Sequence, residues 1–299
     1  MSQLFLATRP RQWIKNFVVF VPLLFSFNEY WFFENENEAL TLLLTVLLAF
    51  VIFILASSSV YLLNDVVDAK EDKSHPNKKY RPVASGALNI RFALFSSLFI
   101  AAIGLIMSWV FVRELTITLV IYLALMLSYT LFLRQYAILD VFCIASGFML
   151  RVIAGGVVIG VPISPWLLVC MGFGALFIGF AKRKGELLNV SDDSYQGSQM
   201  RSALEKYDIR FIDNLLLIVV TSTLISYCLY TFWAENLPNN NSMMLTIPFV
   251  VYGLFRYLYL SRTAGLTERP EETILRDPHL MVSIVIWLLM VVGILYLYR

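Results

Sequence analysis

The chain is predicted to be an all-α, polytopic membrane protein in which nine transmembrane helices surround a cytoplasm-facing cavity. Of its 299 residues, 59% are hydrophobic and 15% are charged, whereas a soluble domain carries about 25% charged residues. The mean hydropathy is +0.73. Apolar runs of about 17 to 25 residues, the length that crosses a bilayer, recur along the whole sequence. We therefore expect residues 1–299 to form a single integral membrane domain.

Nine apolar segments are long enough to span the hydrocarbon core of a membrane. They lie near residues 14–33, 40–63, 92–112, 115–133, 137–161, 163–181, 211–233, 243–261 and 279–298. The first is interrupted by Pro22, and the fifth contains Arg151, Gly155 and Gly156. Because no small-residue cleavage site follows the basic N-terminal residues, we predict no cleavable signal peptide.

The basic residues predict the orientation of these helices. If the N-terminus is cytoplasmic, only Arg113 and Arg299 of the 23 Lys and Arg residues fall on the outer side. The external loop at residues 29–38 then contains four Glu residues and no base. An excess of Lys and Arg on the inner loops is the usual pattern of membrane proteins. We therefore expect the N-terminus to be cytoplasmic.

Three carboxylates follow directly after the uncharged stretch at residues 40–63. Asp65, Asp68 and Asp72 have i, i+3, i+7 spacing, which places them within about 60° of one another on an α-helix. Like charges on one face repel each other unless a cation lies between them. Oxygen ligands at this density suit Mg²⁺, which prefers carboxylates together with substrate phosphates. The pattern predicts that these three Asp residues form a catalytic magnesium site at the end of a membrane helix.

Polar residues on both sides of the three carboxylates are predicted to contact substrate. Asn64 precedes them and would add an amide oxygen, with a helix cap as the alternative. Lys78, Lys79 and Arg81 follow them. Bases beside carboxylates suit a phosphorylated substrate, because metal and bases then share its negative charge. The alternative is binding to anionic headgroups, worth about 1 kcal/mol per base.

Further charged residues lie within or beside the predicted helices. Arg151 is in the middle of one, where a charge is costly and usually faces a cavity or a partner. An ion pair with Asp140 is the structural alternative. Lys182 and Glu186 share a helical face, with Arg183 next to them. We expect these three to bind substrate, and the alternative is an ordinary exposed ion pair.

The motifs as a whole resemble those of the UbiA superfamily of intramembrane prenyltransferases. The resemblance starts with Asn64-Asp65-x-x-Asp68-x-x-x-Asp72, followed by Arg81-Pro82-x-x-x-Gly86. Members of the superfamily have nine transmembrane helices, so the resemblance covers essentially the whole chain. Two departures are evident. Many members have Arg-Thr where this chain has Asn77-Lys78, and Lys182-Arg183-x-x-Glu186-Leu187 replaces the usual second aspartate-rich motif.

One branch of the superfamily, the decaprenyl-phosphate phosphoribosyltransferases, is similar to the chain in the second of these departures too. Further matching motifs are Arg9-Pro10-x-Gln12-Trp13-x-Lys15-Asn16, Arg151-x-x-Ala154-Gly155-Gly156 and Arg276-Asp277. Members of that branch move phosphoribose from 5-phosphoribosyl 1-diphosphate (PRPP) to a polyprenyl phosphate. The product feeds the synthesis of cell-wall arabinan precursors.

The resemblance implies a magnesium-dependent phosphoribosyltransferase in a bacterial cell membrane, with its active site on the cytoplasmic side. The three Asp residues would hold Mg²⁺ on the diphosphate of PRPP. Lys182 and Arg183 would supply fixed positive charge in place of a second acidic cluster. Arg9, Arg11 and Lys15 would meet the lipid phosphate, and Tyr207 would contribute to substrate binding. The roles of Asp208 and Asp213 stay open.

Two other functions remain as alternatives. A UbiA-type prenyltransferase would use a prenyl diphosphate donor and an aromatic or other acceptor, but the missing second acidic motif argues against it. A membrane transporter would place its acids near the bilayer midplane, whereas here they follow the end of a helix. The expected partners are PRPP, the polyprenyl phosphate and the lipid bilayer, with no nucleic acid, and homo-oligomer formation is open.

Overall fold

The computed structural model describes residues 3–32, 35–74, 78–190, 206–262 and 270–298. These ranges are helical and contain no β-strand. The α-helices, in chain order, are α1 (Gln3–Ala7), α2 (Val21–Phe25), α3 (Glu36–Val67), α4 (Ala69–Ser74), α5 (Ile90–Phe111), α6 (Arg113–Leu131), α7 (Leu139–Ile159), α8 (Pro165–Val190), α9 (Ile209–Trp233), α10 (Ile247–Leu260), α11 (Pro270–Arg276) and α12 (Pro278–Tyr298). Short 3₁₀ helices lie at Pro10–Phe20, Lys78–Tyr80, Leu133–Gln135 and Ser242–Thr246.

Eight helices in the described ranges are long and apolar enough to cross a membrane. They are α3, α5, α6, α7, α8, α9, the segment Ser242–Leu260 that includes α10, and α12. The protein is therefore a multi-pass membrane protein, but the predicted number of nine spans is not confirmed. The first predicted span, residues 14–33, is not one long helix. It consists of the end of the 3₁₀ helix, the short helix α2, and a turn that begins at Ser26.

The N-terminal segment nevertheless runs alongside the bundle. Asn16 bonds to Ser57, and Phe20 packs against Phe50, so higher residue numbers in the segment meet lower ones in α3. The segment is therefore antiparallel to α3. Pro22 lies in the first turn of α2, where the missing N–H of proline removes no helical hydrogen bond.

Close packing of the N-terminal segment against α7 depends on a glycine. A methyl group at Gly155 would overlap the backbone carbonyl of Val19. Small residues allow this kind of close backbone approach in membranes. Gly155 therefore lets the N-terminal segment lie directly against α7.

The connections of the bundle place its charged residues at one end. The C-terminal ends of α3, α6 and α8 and the N-terminal ends of α5, α7 and α9 meet there, because successive long helices run in opposite directions. Ion pairs cross between these ends, for example from Arg134 to Asp68 and from Arg183 to Asp140. This end of the bundle therefore contains the candidate site.

Candidate active site

The three predicted metal ligands lie at a break between two helices. Helix α3 ends at Val67, Asp68 is its C-cap, and Asp72 belongs to α4. The backbone N–H of Asp68 still donates to Asn64 O at 2.9 Å, and that of Asp72 to Asp68 O at 2.9 Å. The helical path is therefore nearly continuous, and Asp65, Asp68 and Asp72 are all buried.

Three arginines from separate parts of the chain pair with these carboxylates. Arg81 Nη1 donates to Asp72 Oδ2 at 2.6 Å and lies 3.4 Å from Asp65 Oδ1. Arg9 also donates to Asp65 Oδ1. Arg134, in the connection between α6 and α7, donates to Asp68 Oδ1. We call these six residues, Asp65, Asp68, Asp72, Arg9, Arg81 and Arg134, the acidic cluster.

Sequence reasoning missed part of this arrangement. Arg81 was predicted as a substrate contact, whereas Arg9 was expected at the lipid phosphate and Arg134 only among the inner-loop bases. In the sequence, Arg9 lies 56 residues from Asp65, and Arg134 lies 66 residues from Asp68. Neither pair therefore follows a helical spacing. No local signal in the sequence could therefore have assigned these pairs.

The protonation behaviour of the acidic cluster reflects its burial. Burial raises the pKa of Asp72, although Arg81 beside it acts in the opposite direction. Burial and the nearby charge of Arg9 lower the pKa of Arg81. Both pKa shifts mean that burial makes the charged forms of Asp72 and Arg81 less favourable than they are in water. A divalent cation on Asp72 would favour its ionised form.

The carboxylates fit a magnesium ion in part. Asp65 and Asp72 converge on a single cationic atom, Arg81 Nη1, and their oxygens are the hard ligands that Mg²⁺ prefers. In the described ranges, however, no three His, Cys, Asp or Glu side chains form a group that could hold a metal. Asp68 instead pairs with Arg134. The structure therefore gathers two of the predicted ligands around one point, and the role of Asp68 as a ligand stays a prediction.

The other polar residues predicted around the acids have separate environments. Asn64 accepts a hydrogen bond from the Thr130 hydroxyl through its side-chain oxygen, which ties α3 to α6. Lys78 lies close enough to Asp72 to act on its carboxylate electrostatically. Lys79 is exposed and lies over the ring of Tyr80 at 5.2 Å from the centroid. Of these two lysines, Lys78 is therefore the one that interacts with the acidic cluster, whereas Lys79 contacts Tyr80.

A second group of charges lies at the end of α8. It comprises Lys182, Arg183, Lys184, Asp140, Glu186 and Asp213, which we call the basic cluster. Arg183 is buried, and its Nε donates to Asp140 Oδ2 at 2.7 Å. Its Nη1 donates to Glu186 Oε2 at 2.5 Å. The guanidinium is therefore held by two carboxylates of the protein.

The two lysines of the basic cluster differ in exposure. Lys182 Nζ lies 4.0 Å from Glu186 Oε1, so the predicted shared helical face is confirmed. Its side chain is about one-third exposed, at 34%. Lys184, which was not predicted as a site residue, is buried and donates to Asp213 Oδ1 at 2.6 Å. Among the three bases, Lys182 is therefore the one most accessible to a ligand.

Tyr207 anchors the start of α7. Its hydroxyl donates to Asp140 Oδ1 at 2.8 Å and accepts from the backbone N–H of Ile138 at 2.6 Å. Ile138 has a φ of 72°, an unusual conformation for a β-branched residue. Burial raises the pKa of Tyr207, so its phenol stays neutral. These contacts indicate a positioning role, and the predicted contact with substrate stays untested.

Arg151 lies in α7 and does not form the alternative ion pair with Asp140. Its Nε donates to Asn16 Oδ1 at 2.7 Å, its Nη1 to Gly147 O at 2.7 Å and its Nη2 to the Tyr122 hydroxyl at 2.9 Å. That alternative was wrong, because Asp140 is engaged by Arg183 and Tyr207. Arg151 instead links α7 with α6 and the N-terminal segment.

Arg11 and Lys15, the remaining N-terminal bases, lie in different environments. Arg11 is highly exposed, and its nearest carboxylate is Glu272, at 4.0 Å. Lys15 is half-buried and acts electrostatically on Tyr122, the residue that bonds to Arg151. Arg11 and Lys15 are therefore not equivalent, since only Lys15 lies near the buried side chains of Tyr122 and Arg151.

Comparison with known proteins agrees with these motifs. A sequence model of the UbiA prenyltransferase family matches residues 19–272. The chain is 33% identical to the decaprenyl-phosphate phosphoribosyltransferase of Mycolicibacterium smegmatis, over 96% of this chain and 91% of that protein. It is 30% identical to the protein of that name from Corynebacterium glutamicum, over 97% and 86% of the two chains.

The fold also matches solved structures. A UbiA homolog from Archaeoglobus fulgidus, solved with DMAPP and Mg²⁺ bound, superimposes with a TM-score of 0.71 at 15% identity. The match covers 99% of this chain and 100% of that one. A digeranylgeranylglyceryl phosphate synthase structure superimposes with a TM-score of 0.62 at 18% identity, over 98% and 97% of the chains. At such identities these matches show the helical architecture.

Proposed function

Since the chain belongs to the UbiA prenyltransferase family, whose sequence model matches most of its length, we propose that it is a magnesium-dependent phosphoribosyltransferase. It transfers 5-phosphoribose from PRPP to a polyprenyl phosphate such as decaprenyl phosphate. The products are polyprenyl-phosphoryl-5-phosphoribose, a precursor for cell-wall arabinan, and diphosphate. The names of the relatives that are 30–33% identical over most of the chain support this assignment.

The observation that carries the proposal is the convergence of two buried carboxylates on one cation position. Asp65 and Asp72 both approach Arg81 Nη1, at 3.4 and 2.6 Å. These two residues would hold Mg²⁺, which when bound would neutralise charge on the diphosphate leaving group. Arg81, released from the carboxylates, would then bind a diphosphate oxygen. Arg9 and Arg134 are placed to do the same.

Group transfer at this site requires positioning more than a general base. The bond between ribose C1 and the diphosphate oxygen breaks, and the diphosphate departs with the electron pair. A new bond forms between C1 and an oxygen of the lipid phosphate. That oxygen already carries negative charge, so no side chain has to remove a proton. Fixed positive charge and orientation of the two substrates supply the catalysis.

The basic cluster supports a phosphorylated sugar donor. Lys182 is the partly exposed base at the position where the superfamily usually carries a second acidic motif. A base there can hold the 5-phosphate of PRPP without a second metal. The inner-loop bases support an orientation in which the active site and the N-terminus are on the cytoplasmic side of a bacterial cell membrane.

A donor assay tests the proposal. Purified protein is incubated with decaprenyl phosphate and labelled PRPP, and separately with a labelled prenyl diphosphate and an aromatic acceptor. We expect labelled lipid to form from PRPP only, and to form only with Mg²⁺ present. Transfer of the prenyl chain without any use of PRPP would replace the proposal with the prenyltransferase alternative.

A further inference from the structure

Arg151 is a buried cation whose described neighbours carry no negative charge. It is 6% exposed and lies within α7, a helix that can cross the membrane. Its three hydrogen-bond acceptors are an amide oxygen, a backbone carbonyl and a phenol. Across the described ranges, no Asp or Glu forms an ion pair with it, although every other buried base there does. Arginine keeps its proton in proteins, so the charge remains.

The aromatic rings around Arg151 offset only part of the cost of this charge. The guanidinium carbon lies 4.7 Å from the ring centre of Tyr122, 5.6 Å from that of Phe148 and 5.7 Å from that of Phe53. Cation–π contacts stabilise a desolvated cation only in part. Burial of an ion without a counter-charge is strongly unfavourable. An anion from outside the protein would remove most of this deficit.

A second base and a polar path lie beside Arg151. Lys15 acts electrostatically on Tyr122, which bonds to Arg151. Asn16, the residue after Lys15, connects Arg151 to Ser57 of α3. Ser57 precedes Asp65 by eight residues, or about 12 Å at roughly 1.5 Å per residue. Arg151 is therefore deeper in the bundle than the acidic cluster and separate from it.

We propose that Arg151 and Lys15 bind the phosphate group of the lipid acceptor. The ligand is a phosphate monoester on a long isoprenoid chain, which arrives from the bilayer and not from water. This inference rests on the proposed function, because it assigns each of the two substrates to its own positively charged site. The acidic cluster with its metal takes the diphosphate of the donor, and Arg151 takes the acceptor. The transferred ribose lies between them.

Binding of the lipid can be measured without any reaction. Native mass spectrometry of the purified full-length protein would compare decaprenyl phosphate with decaprenol, which lacks the phosphate. We expect Arg151→Gln to weaken binding of decaprenyl phosphate about tenfold or more and to leave decaprenol binding unchanged. Arg151→Lys should restore part of the affinity. In turnover assays, the KM for lipid should rise while the KM for PRPP stays constant.

Arg113→Gln is the matched control. Arg113 also stacks on an aromatic ring, with 4.3 Å to the centre of Trp109, but it is exposed and lies at the other end of the bundle. Its replacement should leave both lipids bound as before. If Arg151→Gln does not fold, Lys15→Gln, which removes the half-buried second base proposed to bind the phosphate, should give a smaller loss of decaprenyl phosphate binding.

Two results would overturn the inference. One is unchanged binding of decaprenyl phosphate in Arg151→Gln. The other is equal weakening of decaprenyl phosphate and decaprenol, which would indicate a structural role only. Failure of the proposed function looks different, because phosphate-selective lipid binding would persist while labelled PRPP gives no product.

Discussion

The acidic cluster and the basic cluster contain the same kinds of ion pair but differ in how deeply the arginine of the pair is buried. In the acidic cluster the carboxylates are the buried side, and the side chains of Arg9, Arg81 and Arg134 are 27%, 22% and 15% exposed. In the basic cluster Arg183 and its partner Asp140 are 3% and 1% exposed. Once a metal ion takes their place beside the buried carboxylates, these partly exposed arginines would be free to bind phosphate. Arg183 is not free in this way, since its departure would leave Asp140 charged and buried.

This difference separates two roles that look alike in sequence. Both clusters are short runs of charge at the end of a membrane helix. One can respond to ligand and metal, whereas the core of the other holds three helices together through Arg183, Asp140 and Lys184. Activity should therefore depend most on the acidic cluster and stability most on the basic cluster.

The strongest test of that division is the loss of a proposed metal ligand. Asp65→Asn should lower turnover about 10³-fold or more, the scale of removing a main electrostatic contact to the transition state. EDTA should abolish activity and Mg²⁺ should restore it. Transfer of labelled phosphoribose measures both effects. Full turnover of Asp65→Asn, with a normal unfolding temperature, would show that the carboxylate holds no catalytic metal.

Arg183→Gln should act mainly on stability. It strands the carboxylate of Asp140 in a buried site, and breaking a buried pair in this way costs about 3–5 kcal/mol. Thermal unfolding in detergent would show a midpoint lower by several degrees. Arg9→Gln is the matched change in the acidic cluster. It should lower activity with a smaller change in midpoint, because Asp65 keeps Arg81 as a partner. The reverse ranking would contradict the comparison.

Lys182→Ala tests whether any part of the basic cluster meets substrate. We expect the KM for PRPP to rise roughly tenfold, with little change in the KM for the lipid, since a partly exposed base contributes less than a buried one. Steady-state kinetics with each substrate varied measures the split. Lys206→Ala, at an exposed base on the same end of the bundle, is the control. Equal KM values for PRPP in the wild type and Lys182→Ala would make Lys182 an anchor for topology only.

The smallest expected effect belongs to Tyr207→Phe. Loss of the hydroxyl removes one bond to Asp140 and one from Ile138, which should lower stability by about 1 kcal/mol. Burial raises the pKa of Tyr207, so its stabilising contribution is fully present below pH of about 10 and falls as the pH rises further. That part of the alkaline loss should be absent in the variant. Tyr129→Phe, whose hydroxyl is 3.4 Å from Arg183, is the control.

Local patterns predicted the parts of the site that depend on neighbours in sequence. Asp65, Asp68 and Asp72 lie together because they follow one nearly continuous helical path, and Lys182 and Glu186 share a face for the same reason. Long-range pairs could not be predicted in this way. For Arg151 the sequence left two alternatives, a contact with substrate and an ion pair with Asp140. The packing of α6, α8 and the N-terminal segment against α7 gives Arg151 and Asp140 other partners.

The first predicted span shows the same limit. Its apolar composition predicted a transmembrane helix, but residues 10–25 form a 3₁₀ helix followed by one short α-helix. Hydropathy reports the solvent that a segment prefers and carries little information about its local helical geometry. The geometry here is coupled to the contact with Gly155 of α7, which lies more than 130 residues away.

The sequence by itself determined the membrane class, the helical architecture, the family and a set of candidate site residues, because these depend on composition, period and local spacing. Tertiary structure alone decided which charge meets which. It assigned Arg9, Arg81 and Arg134 to the three carboxylates, enclosed Arg183 between Asp140 and Glu186, and surrounded Arg151 with neutral groups. The physical reason is that the cost of a buried charge depends on its partner, and the partner is chosen by packing across the bundle.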